Sequence, residues 1–288
     1  MISMNKKLYI LYAMFLCFSN LLKSQVPIDF DYYEIIDESQ LVVVYDMIYI
    51  NDTSKLDNKY YDEIILEISN KLSKSYSYGL YKYDSTYTES NRNGAYSYPS
   101  PKSSIFPIDV IKKYTDKTMT IYHRMPDDGP VFEYRENMNI LVWNIENENT
   151  EYLGYSCNKA TCNFRGRNWT AWFTNNIPVQ DGPWKFCGLP GLILRIEDEK
   201  GEYIFNCVKI QQTNKPILLA NYLYQKSSYE DVSIFLKECY KDFNAYMRKI
   251  NPDWEFSIAK RDKVTGKVTF HKVGPNEIMP KPYNPIEL

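Results

Sequence analysis

The segment Gln40–Asn51, QLVVVYDMIYIN, runs through β-branched and aromatic residues without a glycine or proline. Such a run predicts a buried strand. The polar stretch Asp52–Asn58 predicts a turn. From Tyr60 to Tyr83 the pattern alternates in stretches, with Ile64, Leu66 and Ile68 set against Glu63 and Glu67. A period of about two predicts at least a pair of strands, joined near Asn70-Lys71. Tyr87–Lys102, rich in Ser, Asn, Tyr and Pro, predicts a loop, and Pro107–Lys117 a short helix.

Further strands are predicted over Met119–Arg124, Val131–Glu136, Asn139–Glu146, Tyr152–Arg165, Arg167–Phe173 and Val268–Val273. Leu192–Glu197 and Glu202–Ile210 predict a hairpin around Asp198-Glu199-Lys200-Gly201. One helix has a full set of signals. Ser228 is its cap, and Glu230 and Asp231 are acids in its first turn. Val232, Phe235, Leu236, Cys239, Phe243, Tyr246, Met247 and Ile250 follow at helical spacing, and Asn251-Pro252 stops it. Strands joined by short turns, with the helix late, predict an α+β, mainly β fold. It would be a large curved antiparallel sheet with one main helix in the C-terminal half, packed on a sheet face.

The N-terminal end changes the compartment. Lys6-Lys7, the apolar run Leu8–Leu22 and the polar Lys23-Ser24-Gln25 predict a secretory signal peptide over 1–24. The apolar run is too short for a membrane span, and an uncleaved anchor is the alternative reading. A single β-rich domain over 25–280 and a loose, proline-containing tail over 281–288 are expected to follow. Roughly 250 residues can bury a substantial core. The predicted location is the periplasm or cell envelope, with secretion the further alternative, and no transmembrane segment is expected after signal removal. A net charge of −2 and the lack of a long basic stretch argue against nucleic acid and anionic membranes as partners. The 27 tyrosines suit strands and half-wet surfaces.

Export permits disulfides, and Cys157, Cys162, Cys187, Cys207 and Cys239 follow the signal segment. Cys157 and Cys162 are the close pair and the candidate disulfide, unless both lie in one straight strand, where they would be too far apart. His123 and His271 both sit in predicted strands and read as structural. No metal-ligand spacing, nucleophile elbow, phosphate-binding glycine loop or HExxH helix is present, so no metal, cofactor or catalytic residue is assigned. A soft-metal site from Cys157, Cys162, Cys187 and His123 is the weaker alternative to buried thiols.

The densest local signal is Gly182-Pro183-Trp184-Lys185-Phe186-Cys187-Gly188-Leu189-Pro190-Gly191-Leu192-Ile193-Leu194. Its glycines and prolines alternate with bulky apolar residues, which predicts a shaped turn feeding a buried strand. Leu189-Pro190-Gly191-Leu192 fits a type II turn, with Gly191 at positive φ, while Gly188 allows close backbone approach. Two readings compete. In the favoured one the run is a structural corner with an aromatic plug. In the other it rims an apolar ligand groove lined by Trp169, Trp172, Trp184, Phe186, Leu189 and Pro190.

Gly154–Thr161, Phe164-Arg165-Gly166-Arg167, Ala171-Trp172-Phe173, Ile177-Pro178, Gly182–Phe186 and Gly188–Ile193 together closely resemble the GLPGLI family, exported proteins of Gram-negative bacteria named for the last hexapeptide. Leu66–Ser77 is similar to the family's N-terminal strand region. The resemblance implies an exported protein and brings with it no activity, substrate or catalytic residue. The strand order is similar to the half-open barrel of LolA-like carriers, an analogy of fold alone. The functional expectation is a non-enzymatic binding or carrier protein for an apolar small molecule, lipid or peptide. An envelope metal- or thiol-handling protein and an uncharacterised hydrolase are the alternatives.

Overall fold

The computed structural model describes residues 27–95, 105–126, 129–250, 252, 257–261, 268–274 and 277–287. The expected signal peptide lies outside them. In chain order the elements are Tyr33–Glu38 (β1), Leu41–Tyr49 (β2), Tyr60–Ile68 (β3), Leu72–Ser77 (β4), the helix Tyr78–Arg92 (α1), Ile108–Lys113 (β5), Thr118–Arg124 (β6) and Val131–Asn137 (β7). Then come Asn144–Tyr152 (β8), Tyr155–Phe164 (β9), Arg167–Thr174 (β10), Leu192–Asp198 (β11), Tyr203–Gln212 (β12), Pro216–Ala220 (β13) and Gln225–Lys226 (β14). The helices Tyr229–Lys241 (α2) and Phe243–Ile250 (α3) and the strands Ser257–Arg261 (β15) and Val268–Lys272 (β16) complete the set.

Twelve strands form one sheet in the order β14-β7-β6-β5-β4-β3-β2-β12-β11-β10-β9-β8. Neighbours are antiparallel, except that β14 runs parallel to β7. The sheet is curved and does not close, and the fold is mainly β, as the strand pattern predicts. The patterned run of β2 lies inside the sheet between β3 and β12, with Val43, Tyr45 and Met47 fully buried. β1 pairs with β13, and β15 with β16, in separate sheets.

The chain gathers into two compact units. Among the described residues the larger takes 27–235 and 282–287, and the smaller lies within 236–281. In the smaller unit the single expected helix divides at Asp242. Its carboxylate accepts from Ala245 N (3.1 Å), so Asp242 caps a second helix instead of continuing the first. Asn244 Nδ2 ties that helix to Gly274 O and Glu277 O, at 3.1 and 2.6 Å. Among the described residues no helix is long and apolar enough to cross a membrane.

Three local expectations are corrected. Pro107–Lys117 contains a strand, β5, not a helix; it lies between β4 and β6, and Val110 is fully buried. Here pairing on both sides decides the local preference of a β-branched run. Tyr78–Arg92 is a helix, where the pattern predicts strand and then loop. Ser77 Oγ caps it by accepting from Leu80 N (3.0 Å). Asp62 in turn accepts from Ser77 Oγ and Phe106 N, both at 2.7 Å, and burial pushes its carboxyl up to about 6. The buried stripe of α1 is Leu80, Tyr83, Asp84 and Thr88, half of it polar. Asp84 is buried because Arg124 holds both of its oxygens (2.9 and 2.8 Å) and Tyr33 Oη donates to it at 2.7 Å. The third correction is the tail, described below.

Candidate functional site

The Gly/Pro run occupies the loop between β10 and β11. Asp181 bridges to Cys187, Phe186 N donates to Pro183 O (3.1 Å), and Gly188 N donates to Gln180 O (3.1 Å). The aromatic side chains turn inward. Trp169, Trp184 and Phe186 are buried, with ring centres 4.7 Å apart for Trp169 and Phe186 and 5.0 Å for Trp184 and Phe186. Leu189, Leu192 and Ile193 are buried too, as are Gly182 and Pro183, while Gly188 and Pro190 are exposed. Trp172 is half-buried on the other face of β10. Of the six aromatic and turn residues considered for a ligand groove, four therefore lie in the packed interior.

The two central glycines exchange the roles expected of them. Gly188 holds the left-handed backbone, at φ +91°, with only Trp143 near its missing side chain. Gly191 stays outside the left-handed region, and its N–H donates to Leu189 O (2.8 Å), so the predicted type II turn does not form. What forbids a side chain at Gly191 is space. A Cβ there would stand 2.1 Å from Thr174 O. Trp184 also adopts positive φ, +50°, a conformation that its buried packing holds in place.

Buried charges fasten the loop. Lys112 of β5, fully buried, donates to Asp181 Oδ1 (2.5 Å), Gly182 O (2.7 Å) and Phe186 O (3.0 Å). Tyr114 Oη donates to the other oxygen of Asp181 at 2.7 Å, and burial raises that phenol's pKa. Lys185, also fully buried, binds Glu136 (2.5 Å) and both oxygens of Glu287, at 2.8 and 2.9 Å. Arg165 pairs with the same Glu136 and lies 3.5 Å over the Tyr229 ring.

Glu287 belongs to the segment expected to be a loose tail. Residues 282–287 instead dock on the larger unit. Arg167 donates to Pro285 O (2.7 Å) and Asn284 Oδ1 (2.6 Å), and Asn284 Nδ2 donates to Ile50 O (2.7 Å). A proline carries no N–H, but its carbonyl still accepts, and here a buried guanidinium supplies the donor. Ending the chain after Lys281 is expected to cost the larger unit about 3 kcal/mol, because buried cations lose partners. Glu287→Gln, which keeps the other docking contacts, should cost less. Urea denaturation of the three proteins checks this, and equal midpoints would refute the docking.

The outward face of β8–β11 carries the open surface. Register sets Asn144, Thr161, Thr170 and Glu197 in one row across the four strands. Lys159, Trp172 and Arg195 form the adjacent row, and Asn163 pairs with Asn168 on the other side. These alternate with buried residues such as Ala160, Trp169, Ala171 and Ile196. An open cleft of about 860 Å³ lies over the face, lined by Asn144, Thr161, Asn163, Asn168, Thr170, Glu197, Glu199 and Lys200 among others. Polar contacts order its floor. Asn163 Nδ2 donates to Asn168 Oδ1, Asn168 Nδ2 to Glu199, and Thr161 Oγ1 to Glu146, at 2.8 to 2.9 Å. Arg195 pairs with Glu197 at 3.0 Å, and Lys159 with Glu148 at 2.7 Å. In the sequence these residues are scattered Asn, Thr and Glu; only the register, with its alternation in β9 and β10, brings them together.

Cys157 and Cys162 both lie in β9, five residues apart, and all five described cysteines are buried free thiols. Positions separated by an odd number along a strand point to opposite faces, so the candidate disulfide does not form. Burial pushes the thiols of Cys162 and Cys207 up to about 12 and that of Cys187 to about 11. Among the described residues no three His, Cys, Asp or Glu side chains are placed to hold a metal ion, and the soft-metal cluster with His123 is not assembled.

A family described as "Protein of unknown function (Porph_ging)" matches residues 165–195, which hold β10 and the Gly/Pro run. No curated protein matches the chain. Among solved structures the chain is similar to PNGF-II in two crystal forms. The P21 form gives a TM-score of 0.46 at 12% identity, with 78% of this chain and 35% of that chain covered. The C2 form gives 0.44 at 12% identity, with 79% and 35% covered. The chain thus spans about a third of the length of PNGF-II. An uncharacterized conserved protein from Thermus thermophilus is similar with a TM-score of 0.32 and 8% identity, over 67% of this chain and 91% of that one.

Proposed function

We propose that this chain is an exported, non-enzymatic binding protein of the cell envelope, of GLPGLI type, and that its ligand meets the outward face of β8–β11. The carrying observation is the open polar cleft on that face. Ligand sites hold a few convergent polar groups, and this open cleft gathers amide, hydroxyl and carboxylate groups from four strands on one face. The aromatic groups first considered for an apolar groove support the same choice, since Trp169, Trp184 and Phe186 are spent in the core. Binding is favoured over reaction by the state of the cleft's side chains. Glu197 is engaged by Arg195 and Glu199 by Asn168, and Cys162 is held as a neutral thiol. The Gly/Pro run serves this surface indirectly. It returns the chain from β10 to β11, two of the cleft's strands.

Thr170→Arg tests the proposal by filling the centre of the cleft from an outward, half-buried strand position, where the change of side chain is expected to cost about 1 kcal/mol. Wild-type and variant protein are dialysed against a polar extract of bacterial envelope, and bound compounds are identified by mass spectrometry. A compound retained by the wild type and lost from the folded variant is the expected result. Identical retention by both proteins would overturn the proposal.

A further inference from the structure

On the basis of that reading, we infer that the cleft's ligand is a neutral oligosaccharide, with Trp172 as the surface on which one sugar ring stacks. Trp172 is half-buried and stands just beyond the cleft's lining, one strand step along the same face from Thr170 of the cleft floor. Outward residues two apart on a strand are about 7 Å from each other, so a ligand of two or more linked rings reaches from Trp172 to the cleft floor.

The surrounding charges select the ligand class. Lys159 and Arg195 stand opposite Trp172 on the two adjacent strands, and each is already paired with carboxylates, Lys159 with Glu146 and Glu148 and Arg195 with Glu197, so the ring is flanked by compensated charges that favour neither a cationic nor an anionic ligand. The lining mixes Val142, Cys162 and Trp169 with amides, hydroxyls and carboxylates, and a wholly apolar ligand would desolvate those polar groups without pairing them. An extended peptide gains most of its affinity on a sheet from backbone pairing, and β9, β10 and β11 have both of their edges paired within the sheet, which leaves such pairing only to the outer edge of β8, two strands away from Trp172.

A neutral sugar satisfies each condition. Its C–H face is apolar and packs on an indole. Its hydroxyls donate to carboxylate and amide oxygens and accept from amide N–H groups. The Asn163, Asn168 and Glu199 chain presents such groups already ordered by its own hydrogen bonds, so little side-chain freedom is lost on binding.

Titration calorimetry of the full chain tests this with neutral oligomers of glucose, mannose and N-acetylglucosamine. Chitosan and galacturonate oligomers serve as cationic and anionic comparators. At least one neutral oligomer is expected to bind. Trp172→Ala should weaken it by about tenfold and Trp172→Phe by much less, the difference an aromatic stacking contact makes. Circular dichroism confirms that each variant is folded. Should Trp172→Ala disturb the fold, displacement of the Trp172 indole NMR signal by the oligomer replaces it as the readout. Failure of every neutral oligomer to bind, tighter binding of a charged comparator, or binding unaffected at Trp172 would overturn the inference. If an extract compound is still lost on Thr170→Arg while no neutral oligomer binds, the ligand class is wrong and the cleft remains. If Thr170→Arg changes nothing, the cleft itself is wrong.

Discussion

Gly191→Ala is expected to cost the larger unit more than about 3 kcal/mol, whereas Gly188→Ala costs about 1–2 kcal/mol. The two glycines sit three positions apart in one turn, and a rule based on glycine content alone would rank them together. The structure separates them by mechanism. Gly188 needs a left-handed backbone, at φ +91°, but an added Cβ would meet only the Trp143 ring, at 3.9 Å, an ordinary contact. An alanine there carries a conformational penalty and no clash. At Gly191 an added Cβ would meet Thr174 O at 2.1 Å, Thr174 C at 2.6 Å and Asn175 N at 3.0 Å. All of these are backbone atoms at the end of β10, so no side chain can turn aside to make room. Relief requires moving β10 against the loop, and with it the aromatic cluster of Trp169, Trp184 and Phe186. Thermal melts followed by circular dichroism decide the matter. For a unit of this size about 1 kcal/mol corresponds to about 2–4 °C, so Gly188→Ala should lower the Tm by about 5 °C. Gly191→Ala should lower it by at least about 10 °C or leave no soluble protein. Equal shifts would show that close approach at Gly191 is not the constraint.

That contrast also marks what sequence reading could reach. The presence of a shaped, buried corner was legible, because glycine and proline among bulky apolar residues have few other uses. The assignment of each glycine was not, since close approach depends on Thr174, a residue supplied by another part of the fold. Strands behaved similarly. β2, β6, β7, β10 and the β11–β12 hairpin follow from their own periodicity. β5 does not, because its identity is decided by pairing between β4 and β6. α1 was hidden by a buried stripe that contains Asp84 and Thr88, polar residues whose burial makes sense only once Arg124 is seen opposite Asp84. The docked tail was hidden for the same reason: its partners Lys185 and Arg167 are distant in the chain. The candidate cleft was the least legible of all. Asn144, Thr161, Thr170 and Glu197 carry no common motif, and a shift of one position in any strand would turn its member inward.

Lys112→Met is expected to destabilise the larger unit by about 3–5 kcal/mol, the usual cost of leaving a buried charge without its partner. The lysine and Asp181 both have side chains with no exposure, so water cannot take over from the missing ammonium. Tyr114 Oη and Gly182 N would still donate to Asp181, but the carbonyls of Gly182 and Phe186 would each lose the donor that Lys112 provides. Adding Asp181→Asn to Lys112→Met separates the two losses. The amide removes the uncompensated charge while leaving the carbonyls unpartnered, so the double variant should be more stable than Lys112→Met by at least about 1 kcal/mol. Lys159→Met on the exposed face, where the pairs with Glu146 and Glu148 are wet, should change stability by less than about 1 kcal/mol. Denaturant midpoints of the three variants and the wild type supply the comparison. If the double variant is no better than Lys112→Met alone, the loop is held by the hydrogen bonds to its carbonyls and not by the charge pair. In either case the shape of the Gly/Pro run is imposed from β5, some seventy residues earlier in the chain, and the run's own turn residues permit that shape without being sufficient to specify it.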